Sequence, residues 1–148
     1  MQSLHIVSAY DEELKYLSKR IAAMGGHAER MVEQSVLALV NADPDLARKV
    51  VEDDAILDQG QREVDDKAIL LIGKRQPMAT DLREVIGVIR ISADLERVGD
   101  LAKNVAKRVA SVGDNSKQPA SLYRGLEALA DLALTQLKEV LDVYASRS

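Results

Sequence analysis

Cysteine is absent from this 148-residue chain, which excludes disulfide staples, thiolate metal sites and thiol nucleophiles. Phenylalanine and tryptophan are absent too, and four tyrosines bring aromatics to only 3%. A core must therefore be aliphatic, built from Leu, Ile, Val, Met and Ala. That suits packed helices better than a sandwich of aromatic and β-branched strands. No run approaches the ~20 apolar residues of a membrane span, and the N-terminus lacks the layout of a signal peptide. A cytoplasmic location is the expectation. A basic excess is also missing: 20 Lys and Arg stand against 24 Asp and Glu, a formal net charge of −4. Nucleic acid is not expected as a partner, because it is held first by a basic footprint.

What is present is ordinary for a globular chain: 47% hydrophobic and 30% charged residues, at a length that fits one domain with a real core. Apolar residues recur at heptad spacing in four long segments. From about residue 9 to 41, Leu14, Ile21 and Ala28 interleave with Leu17, Met24, Met31 and Ala38. Asn41 to Asp45 ends this helix, with Asp43 as a cap and Pro44 in a first turn. A second helix, about Pro44 to Lys74, repeats Val50, Leu57, Val64 and Leu71, with Ala47, Asp54, Gln61 and Ala68 as companions. Two polar side chains thus occupy seam positions. Gly73 and Gln76-Pro77 are expected to break it.

The third helix is expected from near Pro77 to about Ala110, on Val88, Leu95, Ala102 and Val109 with Ile91, Val98 and Val105. Asp81 in its first turn opposes the positive end of the dipole. Ser111 to Pro119 is rich in turn formers and reads as a linker. A fourth helix, about Ala120 to Ala145, is seamed by Leu122, Leu126, Leu129, Ala133, Val140 and Val143. Rods of about 40–45 Å joined by short connections predict an all-α, elongated, antiparallel up-and-down bundle. The organisation is then a three-helix unit at 1–110, a linker at 111–119 and a fourth helix at 120–148. Helix four also echoes helix one at an offset of about 105 residues, pairing Ile21 with Leu126, Met24 with Leu129, Ala28 with Ala133 and Val32 with Leu137. Coincidence between two amphipathic helices would give the same match.

The chemistry lies in carboxylates. Asp54, Asp58 and Asp65 fall in one narrow band along helix two, and Glu96, Asp100 and Asn104 in a comparable band on helix three. Antiparallel packing would let the bands face each other and assemble oxygen ligands for a hard or borderline cation such as Mg, Ca, Mn or Fe. The bland reading is a solvated face, with Lys103 and Lys107 softening repulsion near Asp100 and Asn104. Asp54 at a seam position weighs toward a partner, since a carboxylate at a buried edge needs one.

Other features carry less. Arg83, Arg90 and Arg97 recur by sevens and suit either an anion or pairing with Asp94 and Glu84, the latter being favoured. His27, after Gly25-Gly26, invites a phosphotransfer reading, but a packing histidine fits its neighbours better. The glycine pair is no phosphate loop, because no strand precedes it; a close helix approach or kink explains it better. With no Cys, no Ser beside a His and no carboxylate pair in a cleft motif, an enzyme is not expected.

Lys74-Arg75-Gln76-Pro77-Met78-Ala79-Thr80-Asp81-Leu82-Arg83, followed by Asp94-Leu95-Glu96-Arg97-Val98-Gly99-Asp100, closely resembles the PhoU family of bacterial phosphate-signalling regulators. The likeness runs from about Ser8 to Ala110, with helix four resembling the start of that family's second repeat. It implies two tandem three-helix bundles, each with a Glu/Asp-x-x-x-Asp motif able to hold multinuclear metal on the bundle surface. Glu96 and Asp100 would be the motif of helix three, faced by Asp54 and Asp58, with Asn104 and Asp65 carried over more weakly. The metal, divalent or trivalent, would be Fe, Mn, Zn, Mg or Ca. The resemblance further implies a regulator that represses the phosphate-starvation response. Its partners would be the ATPase subunit of a phosphate ABC transporter and a sensor histidine kinase, and it would meet the membrane only through them. The chain departs from the pattern in lacking a second acidic motif and the two helices that would bear it, so a homodimer is expected to rebuild the two-repeat arrangement. A metal-storage or metal-dependent redox bundle is the alternative.

Overall fold

The connections are short, and local chemistry dictates both. The computed structural model describes residues 2–112 and, in the C-terminal stretch, residues 131, 134, 135, 137–139 and 142. Helix α1 spans Gln2–Asn41, α2 spans Pro44–Arg75 and α3 spans Thr80–Val112. Between α1 and α2, Ala42 takes a left-handed φ of 49°, and the Asp43 amide closes α1 by donating to Ala38 O at 2.9 Å. Asp43 then caps α2 by accepting the Leu46 amide at 3.1 Å, and Pro44 fills the first turn, where no amide is needed.

The second connection corrects two sequence expectations. Gly73 does not break α2. It lies inside the last turn, and the helix runs on to Arg75. Gln76 stops it, in left-handed geometry at φ 49° and ψ 56°, with its amide donating to Ile72 O. Pro77 has no amide to continue the ladder. The third helix begins at Thr80 rather than near Pro77, because Ala79 also takes a positive φ, 51°. Asp81 does fall in the first turn of α3. At its far end α3 passes Ala110 and runs to Val112, so Ser111 and Val112 belong to the helix. The remaining linker positions lie outside the described residues.

Two- and four-residue connections make α1, α2 and α3 antiparallel neighbours in turn, rods of roughly 50–60 Å at ~1.5 Å per residue. The described residues contain three long helices and no strand, and the fold is the all-α up-and-down bundle expected. At one end, Tyr10 Oη donates to Asp81 O at 3.0 Å, and Arg75 meets Glu13 at 3.0 Å, tying both ends of the α2–α3 connection to α1.

The expected seams are largely the buried ones. Leu17, Ile21, Met24, Ala28, Met31 and Ala38 of α1 meet Ala47, Val50, Leu57, Val64, Ala68 and Leu71 of α2. On α3 the seam is shifted. Val88, Leu95, Ala102 and Val109 are buried as expected, but their companions are Val85, Ser92, Gly99 and Ala106. Ile91, Val98 and Val105 stand half-buried beside them. Small residues at every seventh position draw the backbones close, and the branched chains then flank the contact rather than fill it.

For the expected fourth helix, the described residues are all helical, and the Thr135 hydroxyl donates to Asp131 O at 2.8 Å. Leu137 packs against the core, as does Val32, its counterpart in the echo with helix one. The other positions named for that seam lie outside the described residues. Among the described residues, no helix is long and apolar enough to cross a membrane.

Candidate metal centre

The antiparallel contact of α2 with α3 is set by a glycine. A Cβ built on Gly99 would overlap Leu57 Cδ1 and stand 3.4 Å from Asp54 Oδ1. Leu57 is fully buried, so it has nowhere to retreat. Gly in a helix interior costs up to ~1 kcal/mol relative to Ala, and here it buys a close approach. That approach sets the i,i+4 pair Asp54 and Asp58 against the i,i+4 pair Glu96 and Asp100, which sit on either side of Gly99.

Asp54 is the most deeply placed of the four, its side chain 3% exposed. Its Oδ2 receives the Lys103 ammonium at 3.2 Å, while its Oδ1 is buried with no hydrogen-bond partner. Burial raises the Asp54 pKa first of all; the Lys103 bond opposes it, and the charges of Asp58 and Asp100 reinforce it. Glu96 responds most. Burial, then hydrogen bonding with and repulsion from Asp100, then the same from Asp58, push its pKa to about 7. Lys103 is held charged, chiefly by Asp54, with Asp100 and Asp58 contributing. These mutual influences place the four carboxylates in one electrostatic cluster, with a single ammonium among them in the described residues.

Asp54, Asp58, Glu96 and Asp100 therefore lie within electrostatic reach of one another. Asp65 and Asn104 are not joined to them. Asp65 lies seven residues beyond Asp58, about 10 Å along the axis, and its pKa is raised by burial and by Asp66 alone. Its Oδ1 is also buried without a partner. Asn104 is exposed.

Two residues that shape the cluster escape the acidic pattern in the sequence. Gly99 was legible as a helix-interior glycine between two acids of one motif. Lys103 reads in sequence as a neighbour of Asp100, whereas it crosses to Asp54 of the other helix.

The donor chemistry fits a hard divalent cation: carboxylate oxygens from two helices, one of them buried and orphaned. Among the described residues, no three His, Cys, Asp or Glu side chains are already gathered in a metal-holding arrangement. Lys103 meets the cluster at Asp54. Were a cation bound, Asp54, Asp58, Glu96 and Asp100 would supply its oxygens.

The remaining candidates lie apart from the cluster. His27 Nε2 hydrogen-bonds Asp53 O at 2.9 Å, which ties α1 to α2 as a packing histidine does. Arg97 pairs with Asp94 at 3.5 Å, both exposed, and Arg83 and Arg90 are exposed on the same helix.

A family model described as the PhoU domain matches residues 21–109. The chain belongs to the PhoU family. The Rhizobium meliloti phosphate-specific transport system accessory protein PhoU homolog is 66% identical over all of this chain and 62% of its own length. The Escherichia coli PhoU accessory protein is 33% identical over 95% of this chain and 58% of its own. The crystal structure of PhoU from Pseudomonas aeruginosa superposes with a TM-score of 0.87 at 33% identity, covering 93% of this chain and 65% of that one. The phosphate transport system regulatory protein PhoU from Streptococcus pneumoniae gives 0.81 at 26% identity, covering 94% and 64%. The chain thus spans about three-fifths of the length of the PhoU relatives it matches.

Proposed function

We propose that this chain is a regulatory adaptor that restrains phosphate uptake and phosphate-starvation signalling. It acts by binding the ATPase subunit of a phosphate ABC transporter or a sensor histidine kinase, with a divalent cation held on the α2/α3 edge. The observation that carries the regulatory reading is its match over the whole chain to a phosphate-specific transport accessory protein. The cation reading rests on the facing pairs Asp54/Asp58 and Glu96/Asp100 with the orphaned Asp54 oxygen. The bundle acts by docking: long rigid helices present side chains at fixed spacing. Leu101 and Ile56, exposed at 63% and 58%, offer apolar contacts on the helices that bear the cluster. Self-association belongs to the same proposal.

The test is capture of the purified transporter ATPase and of the kinase's cytoplasmic part by the tagged chain, with a phosphate-starvation reporter read in cells. Binding to one of them, with reporter repression on expression of the chain, is the expected result. No binding to either and an unchanged reporter contradict it, and oxidation of Fe(II) with turnover points to the redox bundle instead.

A further inference from the structure

Among the described residues the four carboxylates carry one ammonium, and the two halves of its ion pair differ in freedom. The Asp54 side chain is 3% exposed and fixed between two helices, whereas Lys103 is 30% exposed. Asp54 cannot leave the interface without opening it. The lysine, on a flexible four-carbon stem, can carry its ammonium into water. The second Asp54 oxygen remains buried and unpartnered, so the lysine satisfies only half of that carboxylate. An ammonium is a single positive charge bound as a point, and it leaves the cluster net negative. A divalent cation neutralises more charge and accepts both oxygens of a carboxylate.

We infer that Lys103 is a resident counter-cation that a divalent ion must displace, so that this one side chain sets the affinity of the α2/α3 cluster. This rests on the cation-binding reading above. With no divalent ion, the ammonium holds the helices together against carboxylate repulsion. Displacement would put the Lys103 ammonium in solvent and leave both Asp54 oxygens free to serve a divalent ion. Selectivity follows from the same exchange: an ion that cannot outbid an ammonium already in place, such as a monovalent one, does not load.

The experiment is calorimetric titration of the full chain with Mn(II), comparing the wild type with Lys103→Met, which keeps the stem and loses the charge. Binding at least tenfold tighter in Lys103→Met, with a melting temperature below wild type before the metal and restored by it, is the expected result. If the wild type binds and Lys103→Met binds equally or more weakly, the displacement inference fails while the cation site stands. If neither binds, the cation site itself fails and takes this inference with it. Should Lys103→Met not fold, Lys103→Gln, whose amide can still donate to Asp54, replaces it with the same outcomes.

Discussion

Against α1, helix α2 pairs charge with opposite charge across the rim: Arg20 with Glu63 at 2.6 Å and Arg75 with Glu13 at 3.0 Å, while Lys67 sits 3.8 Å over the Tyr16 ring. Against α3, the same helix sets two carboxylates beside two more, answered among the described residues by Lys103. The first contact is what stability and register ask of a helix pair. The second works against both, because like charges repel and a buried carboxylate is costly to desolvate. On the proposal that this cluster holds a cation, the difference separates a structural edge from a binding one on a single helix.

The sharpest way to break the comparison is at Gly99. Gly99→Ala gains helix propensity of up to ~1 kcal/mol but forces a methyl onto buried Leu57, an overpacking cost of about 1–3 kcal/mol. The net expectation in thermal unfolding is a fall in melting temperature of about 2–6 °C, together with weaker Mn(II) binding. An unchanged melting temperature means the helices are not held at glycine distance.

The next effect is a pH dependence. Glu96 titrates near 7 in the folded chain against 4.5 as its ordinary value, so the folded state holds that proton more tightly than the unfolded one. Its stabilising contribution is complete below about pH 4.5 and is lost as pH rises through 7. Asp54 and Asp65, also raised, chiefly by burial, act with the same sign. Without metal, the chain should melt about 2–4 °C higher at pH 6 than at pH 8. Glu96→Gln should flatten that difference; a rise of the same size in the variant assigns it elsewhere.

The smallest effect belongs to the rim. Arg20 and Glu63 are each more than a third exposed at the side chain, so Arg20→Met should cost no more than ~0.5–1 kcal/mol in urea unfolding and leave Mn(II) affinity unchanged. A change in affinity would erase the distinction between the two edges.

Which parts were legible in the sequence follows the same division. Heptad spacing located the core of α1 and α2 almost residue by residue, because side-chain size and burial agree there. It misplaced half of the α3 seam, choosing Ile91, Val98 and Val105 over Ser92, Gly99 and Ala106. Hydropathy rewards large chains, whereas close packing is achieved by small ones. The polar seam position Asp54 was readable as an anomaly, and its neighbours Asp58, Glu96 and Asp100 by their spacing. Its partner Lys103 was not, since pairing between helices depends on their axial register. The start of α3 was missed because Ala79 adopts a left-handed turn with no glycine to announce it.

The most direct test of the central claim is equilibrium dialysis against Mn(II) of the wild type and of Glu96→Gln with Asp100→Asn. The double variant keeps shape and loses two carboxylates, so the account predicts a folded bundle, at least as stable without metal as the wild type, with binding abolished. Equal Mn(II) uptake by the two proteins would contradict it.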